Sequence, residues 1–166
     1  MEAQLVYHAF GPVYDENSRI LILGSFPSVK SRQQQFYYGH PQNRFWKVLA
    51  ALTGREVPEN TQQKRCLLLE EHIALWDVIA SCRIEGSSDS SIRDVTVNDI
   101  AGLLAGTRME HIFVNGDKAG QLYRRYCLGK TGMEAVQLPS TSPANAAWSL
   151  ERLIGAWRVI LPDRGV

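Results

Sequence analysis

The run SRILILGS, residues 18 to 25, constrains the fold more than any other stretch of the chain. It is apolar without alternation and ends in a turn of small residues. Such a strand has no polar face to offer water, so it belongs in a sheet buried on both sides, which is the parallel kind. Two more runs share its character, IALWDVIA at 73 to 80 and MEHIFVNG at 109 to 116, and EAVQL supplies a fourth ahead of LPSTSPAN. Between the strands lie helical patterns. These are NRFWKVLAALT, TQQKRCLLLEEH at 61 to 72 with Asn60 or Thr61 as cap, NDIAGLLAG capped by Asn98, DKAGQLYRRYCLG closed by Gly129, and AAWSLERLIGAWRVI. CRIEGSSDSSIRDVTV is polar and Ser-rich and reads as a long surface loop. Strands separated by helices predict an α/β three-layer sandwich with a central four-stranded, mainly parallel sheet flanked by helices. With 166 residues, 45% of them apolar, the chain can bury one proper core, so residues 1–166 are expected to form a single domain with short tails.

In sheets of this kind ligands sit outside the carboxyl ends of the strands. Four segments leave those ends here: GSFPS, LWDV, FVNG and LPSTSPAN. The first and last are rich in Ser, Pro and Gly, which suits backbone approaching another molecule closely, although turns in α/β proteins generally share that composition. There is no Walker loop, no G-x-G-x-x-G and no G-x-S-x-G, which removes the common nucleotide and hydrolase readings. A formal charge of +1 announces no global attraction to nucleic acid, so a local patch would be needed. Lys30, Arg32, Arg44 and Lys47 flank GSFPS and HPQN and are the candidates for it, against the ordinary reading of solvated helix charges. Cys66, Cys82 and Cys127 are widely spaced and lack histidines at ligand spacing. They read as reduced cysteines, and no metal, iron-sulfur cluster or other cofactor is expected. Without a leader pattern or an apolar run of about 18 residues, a cytoplasmic protein with no membrane partner is expected.

The stretch LILGSFPSVKSRQQQFYYGHPQNRFWKVLAALTG, followed in order by LWDVI, FVNGDKA and LPSTSPAN, resembles the uracil-DNA glycosylase superfamily, specifically its hypoxanthine-DNA (deoxyinosine) glycosylase branch. HPQNRFWKVL is also similar to the mismatch-specific uracil glycosylases, which carry G-I-N-P-G where this chain has GSFPS. In those relatives the Asn of that motif positions the attacking water. Phe26 stands on the matching position here and cannot accept a hydrogen bond from water, so the resemblance moves the catalytic role to Asn43, the Asn of HPxN. It further implies a base pocket of Ser25, Phe26, Tyr38 and Asp77, with Tyr38 on the position where an aromatic ring stacks the flipped base. Asp77 follows an apolar strand where related glycosylases place an Asn that reads the base edge. LPSTSPAN resembles the second superfamily motif, whose backbone grips the DNA phosphates while a side chain fills the gap in the duplex. Ser140, Ser142, Pro143, Ala144 and Asn145, with Ser28, Lys30 and Arg44, are the DNA contacts it implies. Ser140 stands where relatives carry His or Asn, and Ala144 where they carry a larger wedge.

The chemistry can be weighed apart from the resemblance. Deamination converts adenine to hypoxanthine, turning the amino group into a carbonyl and the bare N1 into N1–H. An enzyme that cuts its glycosidic bond must extrude the nucleotide, read its edge and stabilise a sugar with oxocarbenium character. Asn43 is a neutral amide and no general base. Its carbonyl can orient water toward C1′ and its dipole can favour the cationic sugar. The same residue also stands where a helix N-cap stands, a role worth roughly 1 kcal/mol, and both uses draw on one carbonyl oxygen. A carboxylate only accepts hydrogen bonds, so Asp77 suits N1–H of hypoxanthine, or N3–H of uracil, and opposes bare N1 of adenine. Its bland alternative is a strand-end Asp capping the next loop. His40 and the Asn115–Gly116 pair read as turn residues. No lysine stands in a motif suited to a Schiff base, so a monofunctional, hydrolytic enzyme is expected, monomeric, with DNA carrying deaminated bases as its partner.

Overall fold

The computed structural model of the chain describes residues 2–161, so the two ends of the expected 1–166 domain lie outside the described residues. The apolar runs form a four-stranded sheet in which every pairing is parallel. Its strands are β2 (Ile20–Gly24), β3 (Ile73–Asp77), β6 (His111–Asn115) and β7 (Ala135–Leu138), in the order β3-β2-β6-β7. β2 is buried at every position, as its unbroken apolarity requires. Alternate residues feed two cores. Ile20 and Ile22 join Phe45, Leu49, Leu68 and Trp157 on one face, while Leu21 and Leu23 join Ile79, Ile100, Leu122 and Tyr123 on the other. The first face is covered by α2 (Phe45–Thr53), α3 (Thr61–Glu70) and α7 (Leu150–Trp157); the second by α4 (Ile100–Ala105), α5 (Asp117–Tyr126) and a further sheet. The chain leaves β2 toward one side of the sheet and crosses from β3 to the other, so the strand order reverses between β2 and β6. The crevice at that reversal is where a ligand is expected in an open α/β sheet.

The second sheet corrects the sequence reading. The predicted strand at 73 to 80 stops at Asp77; Val78 donates to the Gly24 carbonyl at 2.9 Å and Ile79 to that of Ser25 at 3.1 Å, and the chain then turns away. It continues as β4 (Ile79–Ile84), which pairs antiparallel with β1 (Gln4–Tyr7) and with β5 (Arg93–Val97). The expected surface loop after Cys82 therefore contains strand, and so does the expected N-terminal tail. Both β1 and β5 are sheet edges with mostly exposed side chains, which left them without an apolar signature. Smaller differences have local causes. A short helix, α1 (Val29–Gln34), follows the first turn and is capped by Ser28. Asp99, not Asn98, caps α4 by accepting from Gly102 N–H, because Asn98 is spent on the carbonyls of Asp77 and Ile79. The helix after β6 breaks at Cys127 and resumes as α6 (Leu128–Thr131), so Gly132 in the left-handed region ends it and Gly129 lies inside. Among the described residues no helix is long and apolar enough to cross a membrane.

Candidate active site

The carboxyl ends of β2, β3 and β6 open into a cleft of about 310 Å³, within the range of small-ligand sites. Ser25, Phe26, Ser28, Tyr38, Asn43, Asp77, Ser140, Ser142, Pro143 and Ala144 all line it. Lys30, Arg44 and Asn145 do not. Residues separated by more than a hundred positions are thus gathered at one edge because parallel strands deliver their ends together.

Gly24 ends β2 and forms the floor. A Cβ there would lie 2.5 Å from Asp77 Oδ1 and 3.0 Å from the Tyr38 hydroxyl, so only glycine allows both groups to close on this point. The Asp77 carboxylate is almost wholly buried, and its Oδ2 accepts from His8 Nε2 at 2.8 Å. With a carboxylate oxygen as the acceptor, Nε2 is the donor of this pair. The His8 ring is just as buried and packs against Phe10, Tyr37 and Phe26, with centroids 4.6, 5.9 and 6.1 Å away. One oxygen of Asp77 is therefore fixed from behind.

Tyr38 has a left-handed backbone, φ 52°, and stacks one face on Phe45 at 4.0 Å and 19°. Its hydroxyl is buried with no hydrogen-bond partner in the protein. Burial, and then Asp77, push its pKa far above the ordinary phenol range, while the nearby Asn115 amide opposes the shift. That amide is also bonded to Thr141. Its Nδ2 donates to Thr141 Oγ1 at 3.0 Å and its Oδ1 accepts from Thr141 N–H at 3.1 Å. This reciprocal pair ties β6 to the loop that follows β7.

Asn43 lies on the cleft wall just before α2. Its Oδ1 accepts from Phe45 N–H at 2.9 Å, and its own N–H donates to the His40 carbonyl. The capping bond predicted from sequence is present, although the cap position proper is Arg44. An amide oxygen has two lone pairs, so capping fixes this carbonyl and leaves an acceptor site on it. Capping and water positioning can therefore coexist in Asn43.

Arg44 has a different occupation from the one its charge suggested. Its guanidinium donates to the Trp148 carbonyl, to Ser142 O at 2.9 Å and to Asn145 O at 3.0 Å, and its backbone N–H donates to Thr141 O. It clamps the loop to the start of α2. Asn145 Nδ2 likewise donates to Ser140 O, while Ser140 and Ser142 hydroxyls accept from Ser142 and Ala144 N–H. Arg32 braces the GSFPS turn, reaching the carbonyls of Pro27 and Gly86 and lying 5.5 Å over the Phe26 ring. Ser28 caps α1, and Lys30 and Lys47 are exposed.

Sequence reasoning missed His8 and Asp89. Asp89 sits in the turn between β4 and β5, and Ser25 Oγ donates to its Oδ1 at 2.9 Å. As a whole residue it is exposed, but its carboxyl turns inward and is held above the usual carboxylate range by burial, against the Ser25 hydrogen bond and Lys118. No signal marked either residue, since one lay in an apparent tail and the other in an apparent loop. No group of three or more His, Cys, Asp or Glu side chains among the described residues is placed to hold a metal.

Comparison with known proteins places this geometry among relatives. Residues 12–160 match the family profile described as "Uracil DNA glycosylase superfamily". A hypoxanthine DNA glycosylase of Methanosarcina acetivorans is 39% identical over 150 residues, covering 89% of this chain and 94% of the relative. One of Methanosarcina barkeri is 37% identical over 138 residues, covering 82% and 86%. A solution NMR structure of a Methanosarcina acetivorans protein, described provisionally as a uracil DNA glycosylase, superposes with a TM-score of 0.76 at 38% identity, over 91% of this chain and 96% of that one.

Proposed function

The chain belongs to the uracil DNA glycosylase superfamily, and from that premise we propose that it forms one glycosylase domain that removes hypoxanthine from DNA by hydrolysing the N-glycosidic bond. The observation that carries this reading is the convergence of Asn43, with a spare acceptor site on its fixed carbonyl, and Asp77, with one oxygen fixed by His8, on a single cleft at the reversal of strand order. The deoxyinosine nucleotide is extruded into the cleft, which Phe26 and Tyr38 line. Asp77 accepts N1–H and meets the bare N1 of adenine with an unmatched acceptor. Asn43 holds a water against C1′, and its dipole favours positive charge on the sugar. The C1′–N9 electron pair leaves with the base, water oxygen bonds to C1′, and the proton that water loses passes to the departing base or to bulk solvent. The 139–145 loop, braced by Arg44 and Asn115, faces the strand, with Lys30 and Lys47 as exposed cations for the phosphates.

The test is excision from duplexes carrying inosine, uracil, xanthine or adenine, read by cleavage at abasic sites. Inosine is expected to be the best substrate. Preference for uracil or xanthine would retain the mechanism and change the substrate, whereas binding to abasic DNA with no excision would leave a binding protein. Asn43→Ala is expected to lower excision by about 100-fold or more while abasic-DNA binding persists. Asn43→Ser separates the two uses of the residue: serine caps well, so stability should recover while excision stays lost.

A further inference from the structure

A carboxylate reading N1–H leaves the chemistry with a difficulty. Hydrogen bonding to Asp77 raises electron density on a base that must depart with an extra electron pair. The charge of that departing base spreads onto O6, so a donor at O6 would stabilise the transition state more than the ground state. Ser140, on the motif position where relatives carry His or Asn, accepts from Ser142 N–H through its hydroxyl oxygen and keeps its own O–H. A different donor stands beside Asp77.

We propose that Tyr38 meets the base with its hydroxyl rather than its ring face, donating to O6 while Asp77 Oδ1 accepts N1–H, so that the lactam edge is read by a donor and an acceptor together. This deepens the hypoxanthine reading and rests on it. The two atoms converge on Gly24, within 3.0 Å and 2.5 Å of the place a Cβ would fill. The hydroxyl is buried without a hydrogen-bond partner in the protein, and the nearby Asn115 side chain is oriented by its pair with Thr141. A buried polar group left in that state is costly, and a bound carbonyl relieves the cost. Its high pKa keeps the proton in place. Phe45 covers one ring face, and a hydroxyl lying in the ring plane cannot reach the edge of a base stacked on that same ring. Phe26 then remains as the stacking wall.

Tyr38→Phe removes the hydroxyl and keeps the ring, so it separates the two roles. Single-turnover excision is measured for wild type and variant on duplexes carrying deoxyinosine and deoxy-6-thioinosine, whose sulfur is a poor acceptor and whose N1–H is retained. Leaving-group differences between the substrates cancel in the cross-ratio. The variant is expected to slow inosine excision about tenfold more than thioinosine excision, with abasic-DNA binding unchanged. Equal slowing of both, or no slowing, would overturn the inference and leave Tyr38 as a stacking ring. Should the variant fail to fold, inhibition of wild type by the free bases gives the same contrast: hypoxanthine is expected to bind about tenfold more tightly than 6-thiohypoxanthine, and equal affinities would overturn it. A wild type that leaves inosine intact removes the functional reading and this inference with it, a result distinct from an active enzyme with a flat cross-ratio.

Discussion

The two sheets contribute to one cleft in opposite ways. The parallel sheet delivers Gly24, Asp77 and Asn115 at strand ends whose preceding residues are locked in core on both faces. The antiparallel sheet is mostly solvent-facing along β1 and β5, and it delivers His8 just past one edge strand and Asp89 in the turn before the other. The first set forms the floor; the second sets how floor residues are held, His8 through Asp77 and Asp89 through Ser25. Asp77 is the point of contact, since the chain passes from β3 through Val78 straight into β4. A carboxylate placed at such a junction is fixed in position by one sheet and in orientation by the other.

Substitutions on each side should break this division unequally. Gly24→Ala is expected to be the most damaging. The added methyl meets a carboxylate pinned by His8 and a tyrosine pinned on Phe45, so neither can yield cheaply. Overpacking of this kind costs about 1–3 kcal/mol, or a melting temperature lower by roughly 3–10 °C for a chain of this size. Inosine excision should fall by about 100-fold as Asp77 is displaced, a loss of position on the scale that mispositioned reactants produce. An active, equally stable variant would show that the floor is looser than its packing implies. His8→Ala should act more weakly and differently. It strips a buried carboxylate oxygen of its donor, for about a tenfold loss of excision and a reduced preference for inosine over adenine. His8→Gln, which can donate to the same oxygen, should recover part of both. Loss of stability with an unchanged preference would make His8 a packing residue only.

The same contrast explains what the sequence disclosed. Ile20–Gly24, buried throughout, could be placed from its apolarity, and with it the carboxyl edge where Asn43, Tyr38 and Asp77 gather. The resemblance carried the motifs to that edge. The antiparallel sheet was hidden because RDVTV and QLVY expose most of their side chains, and long-range pairing through Gln4↔Ile84 leaves no local pattern. The bonds that Arg44 makes within the protein were hidden for another reason. A cation beside HPQN suggests phosphate, whereas its fork of donors reaches three carbonyls of a loop about a hundred residues away. Partner choice of that sort depends on which loop folds back, and composition is silent about it.

Asp89→Asn should have the smallest effect, and its sign tests whether the antiparallel sheet holds its carboxylate at a cost. A carboxyl whose pKa is raised on folding binds its proton more tightly in the folded chain. Its favourable contribution is therefore complete below the unfolded value, about 3.9, and is lost as pH rises through the higher folded value. Once deprotonated, the wild type bears a charge that Asn lacks, and the Asn carbonyl can still accept from Ser25 Oγ. The variant is expected to melt at the same temperature or roughly 1–2 °C higher at pH 7, with the difference closing below about pH 4. A wild type several degrees more stable at pH 7 would mean that the charged bond from Ser25 outweighs the burial, and that Asp89 supports the cleft rather than being tolerated at its rim.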